Sequence, residues 1–159
     1  SQEGDPSIGE GEDAQFRPFT IPPFTITVTN KNSDITYTQV ESLSINKPQV
    51  SATAKFLEGT ISKLTVSGSD VILLENLDDN NRLYFPTAYV AKNGVYVNNV
   101  GETDYWENTN YLYTLPNSSK AYKFGYSSAK NLPYIEFPSD IANIIGDGLN
   151  ISYIVTSGL

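Results

Sequence analysis

Hydrophobic and polar positions alternate most regularly near the C-terminal end of the chain. Leu149, Ile151, Tyr153 and Val155 alternate with Asn150, Ser152, Ile154 and Thr156, the period-two pattern of a half-buried strand. Upstream, Tyr134 to Phe137 is a short apolar run closed by Pro138, which cannot donate to a sheet ladder. Between the two runs, Ile141, Ile144 and Ile145 share one helical face, and Ser139 or Asp140 can cap that turn. Gly146 and Gly148 bracket Asp147, as a chain reversal with positive backbone angles requires. The block reads as strand, short helix near 139–145, glycine turn and strand. The rest of the chain must supply what its apolar side chains pack against.

The pattern elsewhere is also one of short strands. Phe24, Ile26 and Val28 alternate with threonines, 30–34 is turn chemistry, and Ile35 to Thr38 resumes the alternation, predicting a β-hairpin. Leu43 and Ile45 form a further strand halted by Pro48. Val50, Ala52, Ala54 and Phe56 supply another inward face, followed by a Glu58-Gly59 turn and a strand through Ile61 and Val66. Ser67-Gly68-Ser69 is the best boundary, giving one small β-domain over 16–68 and a second over 69–159. In the second, Val71 to Leu74 is a continuous apolar run, broken at 78–81, and Leu83 to Phe85 is the next. Tyr89 to Ala91 leads into Lys92-Asn93-Gly94, a hairpin-type turn, and Val95 to Val97 returns. Asp104 to Glu107 has capping-box spacing and predicts one helical turn carrying Trp106. Tyr111 to Tyr113 and Ala121 to Phe124 are predicted strands. The fold class is therefore mainly β: two small antiparallel units, sandwich or half-barrel, with one or two short helical turns.

Composition narrows the chemistry. Of 159 residues, 18 are acidic and 10 basic, a net charge of −8, and there is neither Cys nor His. Disulfides, thiolate metal sites and the commonest catalytic base are excluded together. Five of the acids (Glu3, Asp5, Glu10, Glu12 and Asp13) precede the first basic residue, Arg17, so 1–15 is expected to be a disordered acidic leader or linker. An acidic chain without a basic stripe is a poor nucleic-acid binder. No apolar run approaches membrane-spanning length, so no membrane partner is expected.

Three groups of residues could carry chemistry. Glu75, Asp78, Asp79 and Asn80 offer hard oxygen ligands but lack the spacing and glycine of an ordered calcium loop, so no metal or other cofactor is expected. Glu136 and Asp140 are near in sequence, which does not set the separation that paired-carboxylate hydrolysis needs. A strand position and a helix cap account for both, and the chain is not expected to be an enzyme. Tyr105, Trp106, Tyr111 and Tyr113 form an aromatic cluster, a candidate contact surface for a sugar or a protein, with Trp106 better suited to the core.

The block from Pro133 to Gly158 resembles the "apolar strand, glycine turn, I-x-Y-x-x-T-x-G" block of the baseplate J-like family, wedge proteins of contractile-tailed bacteriophages. Ile21-Pro22-Pro23-Phe24-Thr25 with Tyr37-Thr38 looks like the family's proline-led strand and "Y-T" hairpin, and Lys55 to Thr60 is similar to its "E-G" turn. Trp106 and Phe124 fall where the family has an aromatic pair. Members are much longer, so the resemblance implies a central fragment of such a protein. It further implies a non-enzymatic structural subunit of the virion's tail baseplate, assembled in the bacterial host cytoplasm. Its partners would be other tail subunits and copies of itself. The rival expectation is a carbohydrate-binding or adhesin-like β-sandwich with Trp106 and Tyr111 stacking on sugar rings.

Overall fold

The computed structural model describes residues 17–46 and 52–157; the expected acidic leader, Pro48 and Val50 lie outside them. The protein is mainly β, with several small antiparallel sheets and short 3-10 turns, and among the described residues no helix reaches seven residues. It divides into two compact units between Gly59 and Thr60. The Ser67-Gly68 pair is instead a tight reversal inside the second unit. Both residues have positive φ, and Val66 and Ser69 bridge across them. That geometry matches a two-residue hairpin turn.

In the first unit, β1 (Phe19–Ile21) pairs antiparallel with β4 (Leu43–Ile45). β3 (Ile35–Gln39) lies between β2 (Thr27–Asn30) and β5 (Phe56–Glu58). The hairpin predicted around 30–34 is present, with Thr27 opposite Thr38 and Asn30 opposite Ile35. Its first strand starts later than the alternation predicts, because Phe24 sits at φ 67 in the turn after Pro22 and Pro23. So small a unit has little apolar interior, and an amide takes over part of its organisation. Gln39 is fully buried: its Oε1 accepts from Ile26 N at 3.1 Å, and its Nε2 donates to Ile21 O at 3.3 Å and Glu41 O at 2.7 Å. One side chain thus ties β1, the entry to β2 and the exit from β3.

The second unit is built around β13 (Leu149–Val155), the strand most legible in the sequence. β13 pairs along one edge with β6 (Thr60–Lys63) and β7 (Val71–Ile72), and along the other with β9 (Val90–Asn99). A second sheet has the order β10 (Glu107–Asn108), β11 (Ala121–Ser127), β12 (Leu132–Glu136), β8 (Arg82–Tyr84), with only the β10–β11 pair parallel. The two sheets share one core containing Ile72, Phe85, Val97, Ile135, Phe137, Leu149, Ile151 and Tyr153. Phe85 meets Tyr153 edge-on at 4.9 Å, and the Tyr122 hydroxyl on β11 donates to Val95 O on β9 at 2.9 Å.

Lys92-Asn93-Gly94 does not reverse the chain but lies within β9. Between the pairs Tyr153–Val95 and Val155–Val90, β9 spends five steps where β13 spends two, so the extra residues bulge. Gly94 is required there because an added Cβ would lie 2.9 Å from Ile154 Cβ. The chain does bend at Gly59, and the strands on either side go to different partners, β5 to β3 and β6 to β13. No helix forms at 104–107; Glu107 opens β10. Tyr111 to Tyr113 is not a strand: a 3-10 turn spans Leu112–Thr114, with only Leu112 turned inward. The helical turn near 139–145 is a 3-10 turn at Ile141–Asn143, and Ile141, Ile144 and Ile145 are all buried as their spacing predicts. Asp140 precedes it without a side-chain cap; its Oδ2 accepts from Ser118 N at 2.6 Å instead.

Candidate functional site

Residues alternate sides along a strand, so if Leu83 and Ile135 enter the core, their neighbours Arg82, Tyr84, Tyr134 and Glu136 stand on the opposite face of the sheet. The register places Tyr134 opposite Tyr84 and Glu136 opposite Arg82. On the other side of Tyr134 is Gly125, whose missing side chain leaves room for the ring: an added Cβ would lie 2.5 Å from the phenol.

The result is a continuous ribbon of alternating charge and ring. Lys130 Nζ lies 5.0 Å over the Tyr84 ring, and Tyr84 and Tyr134 have centroids 5.6 Å apart. The Arg82 guanidinium carbon lies 4.2 Å from the centre of Tyr134, and Arg82 Nε donates to Glu136 Oε1 at 2.9 Å. The second Glu136 oxygen accepts from the Tyr113 hydroxyl. Glu136 is only 5% exposed, and these donors give both of its buried oxygens a hydrogen-bond partner. Its hydrogen bond, then that of Tyr84, raises the Arg82 guanidinium above its ordinary value, keeping it protonated throughout the working range.

A depression of about 310 Å³ lies at the Tyr113 end of the ribbon. Arg82 and Glu136 form part of its wall, with Asp79, Asn80, Asn81, Ser139 and Tyr113. Tyr113 and Ser139 also line a smaller hollow of about 80 Å³ together with Pro116 and Asp140. The 78–82 loop is held from within: Asp78 Oδ1 accepts from Asn80 N and Arg82 N, both at 2.9 Å, and Asn81 N donates to Asp78 O. The oxygen-rich stretch Glu75 to Asn80 is thus a structured turn. Among the described residues no group of three or more acidic side chains converges on a point.

The four aromatic candidates are separated by this geometry. Trp106 is 4% exposed, meets Phe137 at right angles and donates its indole N–H to Asn99 Oδ1, so it offers no face to a partner. Tyr105 is exposed and packs edge-on against Tyr96 at 5.5 Å. Tyr111 and Tyr113 are each 72% exposed at the 3-10 turn, and Tyr113 alone of the four lines the depression. Of the two carboxylates, Glu136 bonds to Arg82 and Tyr113, and Asp140 bonds to Ser118 N. Arg82 and Tyr84 were missed by sequence reading. The available signal was the i, i+2 spacing of Arg82 with Tyr84 and of Tyr134 with Glu136, each flanking a core residue.

Compared with family models, with curated proteins and with solved structures, the chain matches none of them.

Proposed function

We propose that the chain is a structural module of a phage tail baseplate that acts by protein–protein assembly, with copies of itself and other tail subunits as partners. The observation that carries the assembly reading is the set of large, rigid aromatic side chains left in solvent on the second unit: Tyr89, Tyr105, Tyr111 and Tyr126 are all exposed over a closely packed core. Tyrosine combines a large apolar area with a polar tip and is enriched where protein surfaces meet. In the first unit, β2 is an edge strand with all four residues exposed, and such an edge can be covered by a neighbouring chain. The resemblance of the Pro133 to Gly158 block and the motifs before it to the baseplate J-like family is what motivates the specific assignment, including its place in the virion. A non-enzymatic role fits the engagement of the Glu136 and Asp140 carboxylates in structural hydrogen bonds.

Static light scattering over a wide concentration range tests this reading. The expected result is a mass that rises with concentration for the wild-type chain and stays monomeric for a variant carrying Tyr89→Ser, Tyr105→Ser, Tyr111→Ser and Tyr126→Ser. A wild-type chain that remains monomeric throughout, or a variant that associates equally well, would overturn it.

A further inference from the structure

The depression beside Tyr113 has a composition that the assembly reading does not use. Its polar groups are of mixed kind. Asn80 and Asn81 carry amides that both donate and accept, Ser139 a hydroxyl, Asp79 a carboxylate and Arg82 a guanidinium. A ligand rich in hydroxyl groups, each both donor and acceptor, is matched by such a lining. An anion is not, because Arg82 is already paired with Glu136 and Asp79 adds an uncompensated negative charge. A purely apolar ligand would strand the amides without partners.

One aromatic ring completes the wall. Tyr113 is held at its far end by the bond to Glu136 and at its base by the 3-10 turn, while most of its surface faces solvent. A fixed, exposed ring beside hydrogen-bonding amides meets the two sides of a pyranose, whose C–H face is apolar and whose rim is hydroxylic. The volume, about 310 Å³, is at the lower end of the range for small-ligand sites, roughly 300–1,000 Å³, and suits one sugar unit rather than a long chain. The walls are set before any ligand arrives. Arg82 is clamped between Tyr134 and Glu136, Asn81 Nδ2 reaches Pro138 O at 3.4 Å, and the 78–82 loop is tied to itself. Such preorganisation reduces the ordering cost of binding.

We propose that this depression binds a neutral pyranose unit of a glycan, with the Tyr113 ring against its C–H face and the Asn80, Asn81 and Ser139 side chains against its hydroxyls. The site goes beyond assembly and is independent of it, and it lies away from Trp106.

The test is a ¹⁵N-resolved NMR titration of the whole chain, at a concentration where light scattering gives one fixed mass. The probes are methyl glucoside, methyl galactoside, methyl mannoside and N-acetylglucosamine. Saturable shifts at Asn80, Asn81, Tyr113 and Ser139 with at least one of them are expected, at dissociation constants on the order of millimolar for so small a ligand. Tyr113→Ala should weaken binding about tenfold or more, whereas Tyr113→Phe, which keeps the ring but loses its bond to Glu136, should weaken it by only a few-fold. Asn80→Ala, at an exposed turn position, should weaken it several-fold with an unchanged thermal transition. No saturable shift with any of the four sugars would overturn the proposal. Shifts confined to other residues, undiminished binding by Tyr113→Ala, or saturation by inorganic phosphate instead of a sugar would overturn it equally. None of these outcomes bears on the light-scattering result, so the two readings fail separately.

Discussion

The indole N–H of Trp106 donates to Asn99 Oδ1 at 2.8 Å, and the Asn99 amide passes the connection on to two carbonyls, Ile144 O at 2.9 Å and Ile145 O at 3.2 Å. The end of β9, the approach to β10 and the isoleucine turn are thereby joined through one buried side chain. Asn99→Ala leaves the indole N–H and two carbonyls without this partner and should destabilise the second unit by about 2–4 kcal/mol. Trp106→Phe retains a ring but strands the Asn99 oxygen, at a cost of about 1–3 kcal/mol. Urea denaturation followed by circular dichroism measures both, and losses under about 0.5 kcal/mol, the level of ordinary surface changes, would remove the network from the account.

Gln39 plays the corresponding part in the first unit. Gln39→Leu fits the volume but leaves Ile26 N and the carbonyls of Ile21 and Glu41 without their side-chain partner. A loss of about 2–4 kcal/mol is expected for that unit. Hydrogen exchange at residues 26–40 reads it locally, and protection equal to wild type would show the amide to be dispensable.

Gly125→Ala tests the ribbon on the outer face of the second sheet. Its new Cβ would lie 2.5 Å from the Tyr134 phenol, and that ring is backed by Tyr84 and Arg82. The ring must move, and overpacking of this sort costs about 1–3 kcal/mol. Chemical shifts of the Arg82 guanidinium should change with it; an unchanged Arg82 environment would separate the ribbon's parts.

Much of the scaffold was legible because its strands carry their own pattern. β13 follows period-two alternation, the β2–β3 hairpin forms around the 30–34 turn although β2 is exposed on both faces, and Ile141, Ile144 and Ile145 turn inward as spaced. The failures have local causes. Lys92-Asn93-Gly94 has turn chemistry, but its β13 partner run is shorter, and only pairing reveals that the surplus bulges. Tyr111-Leu112-Tyr113 alternates as a strand would, yet one buried leucine between two exposed tyrosines suits a 3-10 turn equally. The candidate site was half legible. Tyr113 was identifiable as an exposed aromatic, whereas its link to Arg82 through Glu136 depends on β8 pairing with β12 across a sequence separation of 54 residues.

Burial of the Tyr122 phenol raises its ionisation above the ordinary value of 10, with a smaller contribution from Tyr96. The folded chain therefore keeps a proton that the unfolded chain releases. The associated stability is fully present below pH 10 and is lost as pH rises beyond it toward the folded value. Stability should fall between pH 10 and 12, and Tyr122→Phe should flatten that fall while costing about 1 kcal/mol at neutral pH for the lost bond to Val95 O. Urea midpoints at stepped pH give the slope, and equal slopes for the two proteins would rule out Tyr122 as its source.

Hydrogen–deuterium exchange on the wild-type chain at low and at high concentration tests the proposed assembly role most directly, because it reports association and locates it together. Amides around 87–90 and 103–112, which carry Tyr89, Tyr105 and Tyr111, are expected to exchange more slowly at high concentration. Superimposable exchange at both concentrations would contradict it.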